Sequence, residues 1–73
     1  MATATNHVQP RKFIKIQQVK ELCSLSTAEV YRRIAMGTFP KQINLGPKAV
    51  AWIEGEVIAW VDARIAESRG EAA

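Results

Sequence analysis

The side chains with chemistry to offer gather between Ser26 and Lys48: hydroxyls at Ser26 and Thr27, a phenol at Tyr31, guanidinium groups at Arg32 and Arg33, amides at Gln42 and Asn44, and amines at Lys41 and Lys48. At about 100° per residue for an α-helix, Thr27, Ala28, Tyr31, Arg32 and Ala35 share one arc, with Val30 and Ile34 on the adjacent side and Glu29, Arg33 and Met36 behind. Val30 and Ile34 can anchor the helix in a core. The first arc is then a small, polar, aromatic and cationic surface facing outward. Such a face suits the phosphates and base edges of a duplex major groove, which are read by side chains along one exposed side of a helix.

Each of these residues also has a purely structural use. Arg33 follows Glu29 by four residues in the favourable orientation for a helical ion pair, so its main expected role is helix support. Glu29 reads as a cap rather than a contact. Tyr31 borders the core arc and serves either the outward face or a half-buried rim. Thr27 and Arg32 have the weakest structural task, which makes them the stronger contact candidates.

Other chemistries find no matching residues. One cysteine, Cys23, allows no internal disulfide, and one histidine, His7, leaves no thiolate and imidazole cluster for zinc. Cys23 sits on the apolar side of a helical stretch and reads as a small buried hydrophobe. No Ser, His and acid arrangement, glycine-rich phosphate loop or carboxylate dyad stands out. The expectation is a non-enzyme without metal or cofactor.

Charge separates along the chain. Residues 1–50 hold eight Lys and Arg (Arg11, Lys12, Lys15, Lys20, Arg32, Arg33, Lys41, Lys48) against Glu21 and Glu29, whereas residues 51–73 hold Arg64 and Arg69 against five acids. The basic part is the part with the candidate helix. That asymmetry suggests a polyanionic partner for the first two thirds and a solvated exterior for the rest.

The elements that must position these groups have local signatures. Ser26 is a good N-cap, Glu29 three residues on completes a capping box, Gly37 supplies a left-handed stop, and Phe39-Pro40 prevents resumption. Upstream, Phe13-Ile14-Lys15-Ile16 is β-prone, and Gln17 to Cys23 shifts to helical spacing with Ile16, Val19, Leu22 and Cys23 on one stripe. Ser24-Leu25-Ser26 is short enough to be only a turn, with Leu25 pointing inward. Two helices so joined predict a helix-turn-helix.

After Gly37 the period changes to two. Phe39, Ile43 and Leu45 fall on one strand face with Gln42 and Asn44 on the other; Gly46-Pro47-Lys48 turns, and Val50 and Trp52 alternate with Ala49 and Ala51. This predicts a β-hairpin, a wing, that exposes Lys41, Gln42, Asn44 and Lys48. Glu54 and Glu56 then favour the start of a last helix, whose Val57, Trp60, Val61 and Ile65 close the core. Trp52 and Trp60 read as core anchors. Ile53 and Ile58 miss the inward stripe and are either a small contact for another copy or isolated apolar residues without a role.

The reading for the whole chain is an α+β, mainly α, winged helix-turn-helix. Residues 1–12 form a flexible N-terminal arm, 13–67 the domain and 68–73 a frayed tail. Arg11 and Lys12, where the arm joins the domain, are candidate phosphate contacts. With 73 residues, 48% of them hydrophobic, one small core is the expectation. No apolar run approaches the roughly 20 residues that span a bilayer, so a soluble, cytoplasmic protein without membrane contact is expected.

The segment from Phe13 to Arg64 resembles the AlpA family of small phage and prophage regulators, related to excisionases and to MerR-like winged-helix domains. The carrying motifs are Ser24-Leu25-Ser26 followed by Val30-Tyr31-Arg32, then Gly37-Thr38-Phe39-Pro40-Lys41, Leu45-Gly46-Pro47-Lys48-Ala49-Val50-Ala51-Trp52, and Glu54-Gly55-Glu56-Val57 with Ala59-Trp60. The resemblance implies sequence-specific binding of double-stranded DNA, either as a transcriptional regulator of integrase or excision genes or as an excisionase, a recombination directionality factor. Such a protein would be nucleoid-associated, and an integrase or RNA polymerase is the further contact it would make. Thr27 and Ile53 stand where arginine is frequent in the family, Ser24 where glycine is, and Lys48 where arginine is. Bidentate guanine reading from position 27 is thereby excluded.

The expected arrangement puts the Ser26 to Met36 helix in the major groove and Lys41 and Lys48 on the neighbouring backbone. A module this small makes an interface at the low end of roughly 600–1,000 Å², so several copies on repeated sites are expected. The rival is a protein-docking winged helix that binds a partner through its third helix, using Ile53 and Ile58.

Overall fold

The computed structural model describes residues 11–70. Most of the expected arm, residues 1–10 with His7, and the end of the expected tail, residues 71–73, lie outside the described residues. Six elements follow in order: β1 (Phe13–Ile14), α1 (Ile16–Cys23), α2 (Thr27–Ala35), β2 (Ile43–Gly46), β3 (Ala49–Ile53) and α3 (Glu54–Ser68). The three strands form an antiparallel sheet in the order β1-β3-β2. Three helices and a small sheet with a hairpin after α2 make the α+β winged helix-turn-helix that the residue patterns anticipate.

α1 begins one residue earlier than the helical spacing suggests, because Lys15 adopts extended backbone and its N–H donates to Gln18 Oε1 at 3.1 Å. The glutamine thus substitutes for a conventional cap. The helix stops at Ser24, which takes a left-handed conformation (φ 59°, ψ 29°) while its N–H donates to the Lys20 carbonyl at 2.7 Å. Three residues then carry the chain into α2, with Leu25 packed against the core.

α2 is fixed at both ends by its own sequence. Ser26 Oγ accepts the Glu29 N–H at 3.1 Å. At the far end Gly37 has φ 78°, its N–H donates to the Ile34 carbonyl, and the Thr38 N–H donates to the Arg33 carbonyl. Those two bonds form a Schellman stop, and a glycine suits its left-handed residue. One half of the expected capping box is replaced: the Glu29 carboxylate turns to Arg32 and Arg33.

The core is Ile14, Val19, Val30, Phe39, Trp52 and Val57, with Ile16, Cys23, Leu25, Ile34, Val50 and Trp60 packed against it. Trp52 is fully buried and its indole N–H donates to the Pro40 carbonyl at 3.1 Å, so the one polar atom of the largest core side chain is satisfied. Trp60 is only half-buried; its indole N–H donates to the Thr38 carbonyl at 2.8 Å and its ring packs T-shaped with Phe39, centroids 4.9 Å apart. Both tryptophans therefore pin the loop after α2, which sets where the wing leaves the helix.

Three residues assigned inward by periodicity face outward. Leu45 is exposed because the β2–β3 register is irregular between Asn44 and Gly46, and a β-bulge shifts the pleat by one residue. Leu22 and Ile65 are exposed as well; α1 and α3 each place one residue, Val19 and Val57, in full burial. Ile53 is explained by the sheet, where it pairs with Phe13 on β1. Ile58 is exposed on α3.

Candidate nucleic-acid interface

α2 buries Val30 completely and Ile34 partly. Because successive helical residues turn by about 100°, that burial forces Thr27, Ala28, Tyr31, Arg32 and Ala35 to the surface, and all five are exposed, as is the N-cap Ser26. Tyr31 does both things the sequence allowed. Its ring lies edge-on to Trp52, centroids 6.0 Å apart, while 38% of the residue remains exposed. The ring is thus anchored against the core while part of the residue stays in solvent.

The arginines differ from expectation. Arg32 is not idle: Nε and Nη2 donate to the two Glu29 oxygens at 3.0 and 2.5 Å, and Nη1 lies 3.0 Å from Met36 Sδ. Arg33 also donates from Nε to Glu29 Oε2 at 2.7 Å, and its guanidinium lies 5.8 Å from the centroid of the Trp60 ring. One carboxylate therefore serves two guanidiniums. Reading the spacing of four as the helix pair and leaving Arg32 without a partner missed the second contact, three residues apart on the same turn.

These contacts set the charge state of the carboxylate. Hydrogen bonds from Arg32 first and Arg33 second hold the Glu29 carboxyl well below the usual carboxylate range, at about 2. The reciprocal interaction raises Arg32. Glu29 is thus ionised at any physiological pH, and the turn carries a fixed cation–anion–cation cluster. The Arg32 side chain remains 56% exposed and Arg33 31% exposed, so Arg32 is the one that projects to solvent.

On the wing, Lys41, Asn44 and Lys48 are exposed, with Lys48 in the two-residue connection between β2 and β3. Gln42 corrects the sequence reading: it is half-buried and its Oε1 is enclosed without a hydrogen-bond partner, since it precedes β2 in the segment held by the Trp52–Pro40 bond. Arg11 and Lys12 are exposed; Lys12 Nζ lies 3.8 Å from Glu54 Oε2. Exposure on both sides of that pair makes it a weak constraint. Trp60 is the residue whose role sequence reasoning underestimated: Arg33 and Arg64 both lie over its ring, at 5.8 and 5.3 Å. The spacing of four between Trp60 and Arg64 was the available signal.

Among the described residues, no three His, Cys, Asp or Glu side chains converge in a way that could hold a metal ion. Nor is any helix of the described residues long and apolar enough to cross a membrane.

A half-buried helix with a cationic outer face, entered through a three-residue turn and followed by a lysine-tipped hairpin, defines a winged helix-turn-helix protein. Comparison with known proteins makes the assignment specific. Residues 12–65 match the family described as Prophage CP4-57 regulatory protein (AlpA), which spans well over half of the chain. The chain belongs to the AlpA family. It is also similar to the Uncharacterized protein ORF88 of Enterobacteria phage P4, at 42% identity over 59 residues that cover 81% of this chain and 67% of the phage protein. No solved structure matches it.

Proposed function

We propose that the chain is a sequence-specific double-stranded DNA-binding protein of a phage, prophage or mobile element. α2 enters the major groove with Thr27, Ala28, Tyr31 and Arg32 toward base edges, and Ser26 and Arg33 flank it. Lys41 and Lys48, with Asn44 beside them, meet the backbone next to the groove, and Arg11 and Lys12 reach phosphates on the opposite flank. Its task is transcriptional regulation of integrase or excision genes, or excision itself as a directionality factor. It works in the cytoplasm on the nucleoid, with several copies on repeated sites.

The observation that carries this reading is the outer face of α2, where burial of Val30 leaves Thr27, Ala28, Tyr31 and Arg32 together in solvent. Membership of a family of phage regulatory proteins supports it. Fluorescence anisotropy of a labelled 30-base-pair duplex across a salt series tests it. DNA binding through phosphates requires log affinity to fall linearly with log salt, by about 0.9 per phosphate neutralised, and Arg32→Ala to weaken binding.

A second reading is favoured by Ile58 and Ile65, each 41% exposed on α3. Docking of a protein through that helix would show little salt dependence and would be indifferent to Arg32→Ala. Ile58→Asp would abolish it.

A further inference from the structure

Glu29 lies behind the outward arc of α2, yet its carboxylate reaches Arg32 on that arc, an odd partner for a group proposed to face phosphates, since its negative charge repels them. Its placement has a geometric logic. A guanidinium has five N–H groups: one on Nε and two on each terminal nitrogen. In Arg32 the Nε proton and one Nη2 proton go to the Glu29 oxygens, and one Nη1 proton faces Met36 Sδ. Because Nε and Nη2 make up the side edge of the planar group, its end edge, with one N–H from Nη1 and one from Nη2 lying parallel, is turned away from Glu29. A forked pair of that kind is what bidentate contact to guanine O6 and N7 requires.

Glu29 also offsets charge. Two guanidiniums and one carboxylate leave the turn with one net positive charge, so phosphates anywhere along a duplex are attracted less than two free arginines would attract them. The carboxylate is within reach of both arginines because α2 puts residues three and four apart on neighbouring turns.

We propose that Glu29 is a specificity-determining positioning residue: it grips Arg32 by the side of its guanidinium so that the free end meets a guanine, and it suppresses binding to phosphates regardless of sequence. This rests on the DNA-binding reading above. Glu29 need not touch DNA; it acts through Arg32.

The test selects bound sequences from a duplex pool with a randomised 20-base-pair core, using the full chain and its Glu29→Gln variant, alongside anisotropy on one arbitrary duplex. The Ser26 cap bonds the backbone N–H of residue 29, which glutamine retains, and circular dichroism verifies that the variant is folded. The expected result is that the parent chain enriches a motif containing guanine, while Glu29→Gln enriches a blurred one. Discrimination should fall about tenfold at that base pair, the order of one bidentate contact. On the arbitrary duplex, affinity should rise and the salt slope steepen by about 0.9 for each phosphate gained. In an Arg32→Ala background, Glu29→Gln should leave the selected motif unchanged. Identical motifs and salt slopes for parent and Glu29→Gln would overturn the proposal, as would a loss of discrimination that persists undiminished without Arg32. A parent chain that enriches no motif at all would instead overturn the DNA-binding reading beneath it.

Discussion

Replacing Ser24 with glycine should stabilise this protein without changing what it binds. Ser24 closes α1 at φ 59°, ψ 29°, where the Cβ of an L-residue crowds the following carbonyl oxygen. That crowding costs about 1–2 kcal/mol. Glycine removes it but gives the unfolded chain more freedom, which offsets about 0.4–1 kcal/mol. The net gain is about 0.5–1 kcal/mol, and in a domain of this size each kcal/mol moves Tm by about 4–8 °C. Thermal melting followed by circular dichroism should therefore show Ser24→Gly rising by about 2–8 °C, with an unchanged urea m-value and unchanged DNA affinity, because the angle between α1 and α2 is preserved. Ser24→Val, whose branched Cβ fits the left-handed region worse, should melt below the parent. If Ser24→Gly melts at or below the parent while Ser24→Val is neutral, the turn is not left-handed and the helix-turn-helix geometry derived from it is wrong.

Trp52→Ala should leave no cooperatively folded protein in a thermal melt, because emptying a fully buried tryptophan site removes about 3–5 kcal/mol, a large part of what a small domain possesses; a melt within a few degrees of the parent would contradict the assigned core. Glu29 has a folded pKa of about 2 against an ordinary 4.5, so its depressed carboxyl contributes stability above the ordinary value that is lost as pH falls toward 2. The Tm gap between parent and Glu29→Gln should be constant above about pH 5 and close between there and pH 2; a gap that is flat across that range would refute the clamp. Arg33→Ala should lower Tm more than Arg32→Ala, because Arg33 both pairs with Glu29 and covers Trp60, whereas DNA affinity should fall more with Arg32→Ala; the reverse order in anisotropy and melting would show the two faces are exchanged. Lys48→Ala should reduce the salt slope by about 1 while leaving the selected motif unchanged, as read by the same anisotropy series.

Local chemistry was legible in the sequence, and contacts between elements were less so. The caps of α2 were readable because Ser26 and Gly37 act on backbone groups within four residues of themselves. Trp52 was placed inward by its phase in the strand, although β3 is the central strand and its neighbour Ala51 is fully buried as well, so burial there does not alternate. Leu45 was not, because a bulge depends on how β2 pairs with β3 and leaves no mark in the composition of either strand. Gln42 was counted as a strand residue although β2 begins at Ile43, and the segment before it is held by Pro40 and Trp52 instead. Arg32 shows a different limit. Two arginines compete for Glu29, and sequence spacing ranks such pairs without revealing that one carboxylate can hold both.

The most direct test of the account follows amide chemical shifts of the full chain as a duplex recovered by selection is titrated in. The account predicts that the shifts concentrate at Thr27, Ala28, Tyr31 and Arg32, with a second group at Lys41 to Lys48. Shifts confined to α3 around Ile58 and Ile65, or none at all, would contradict it.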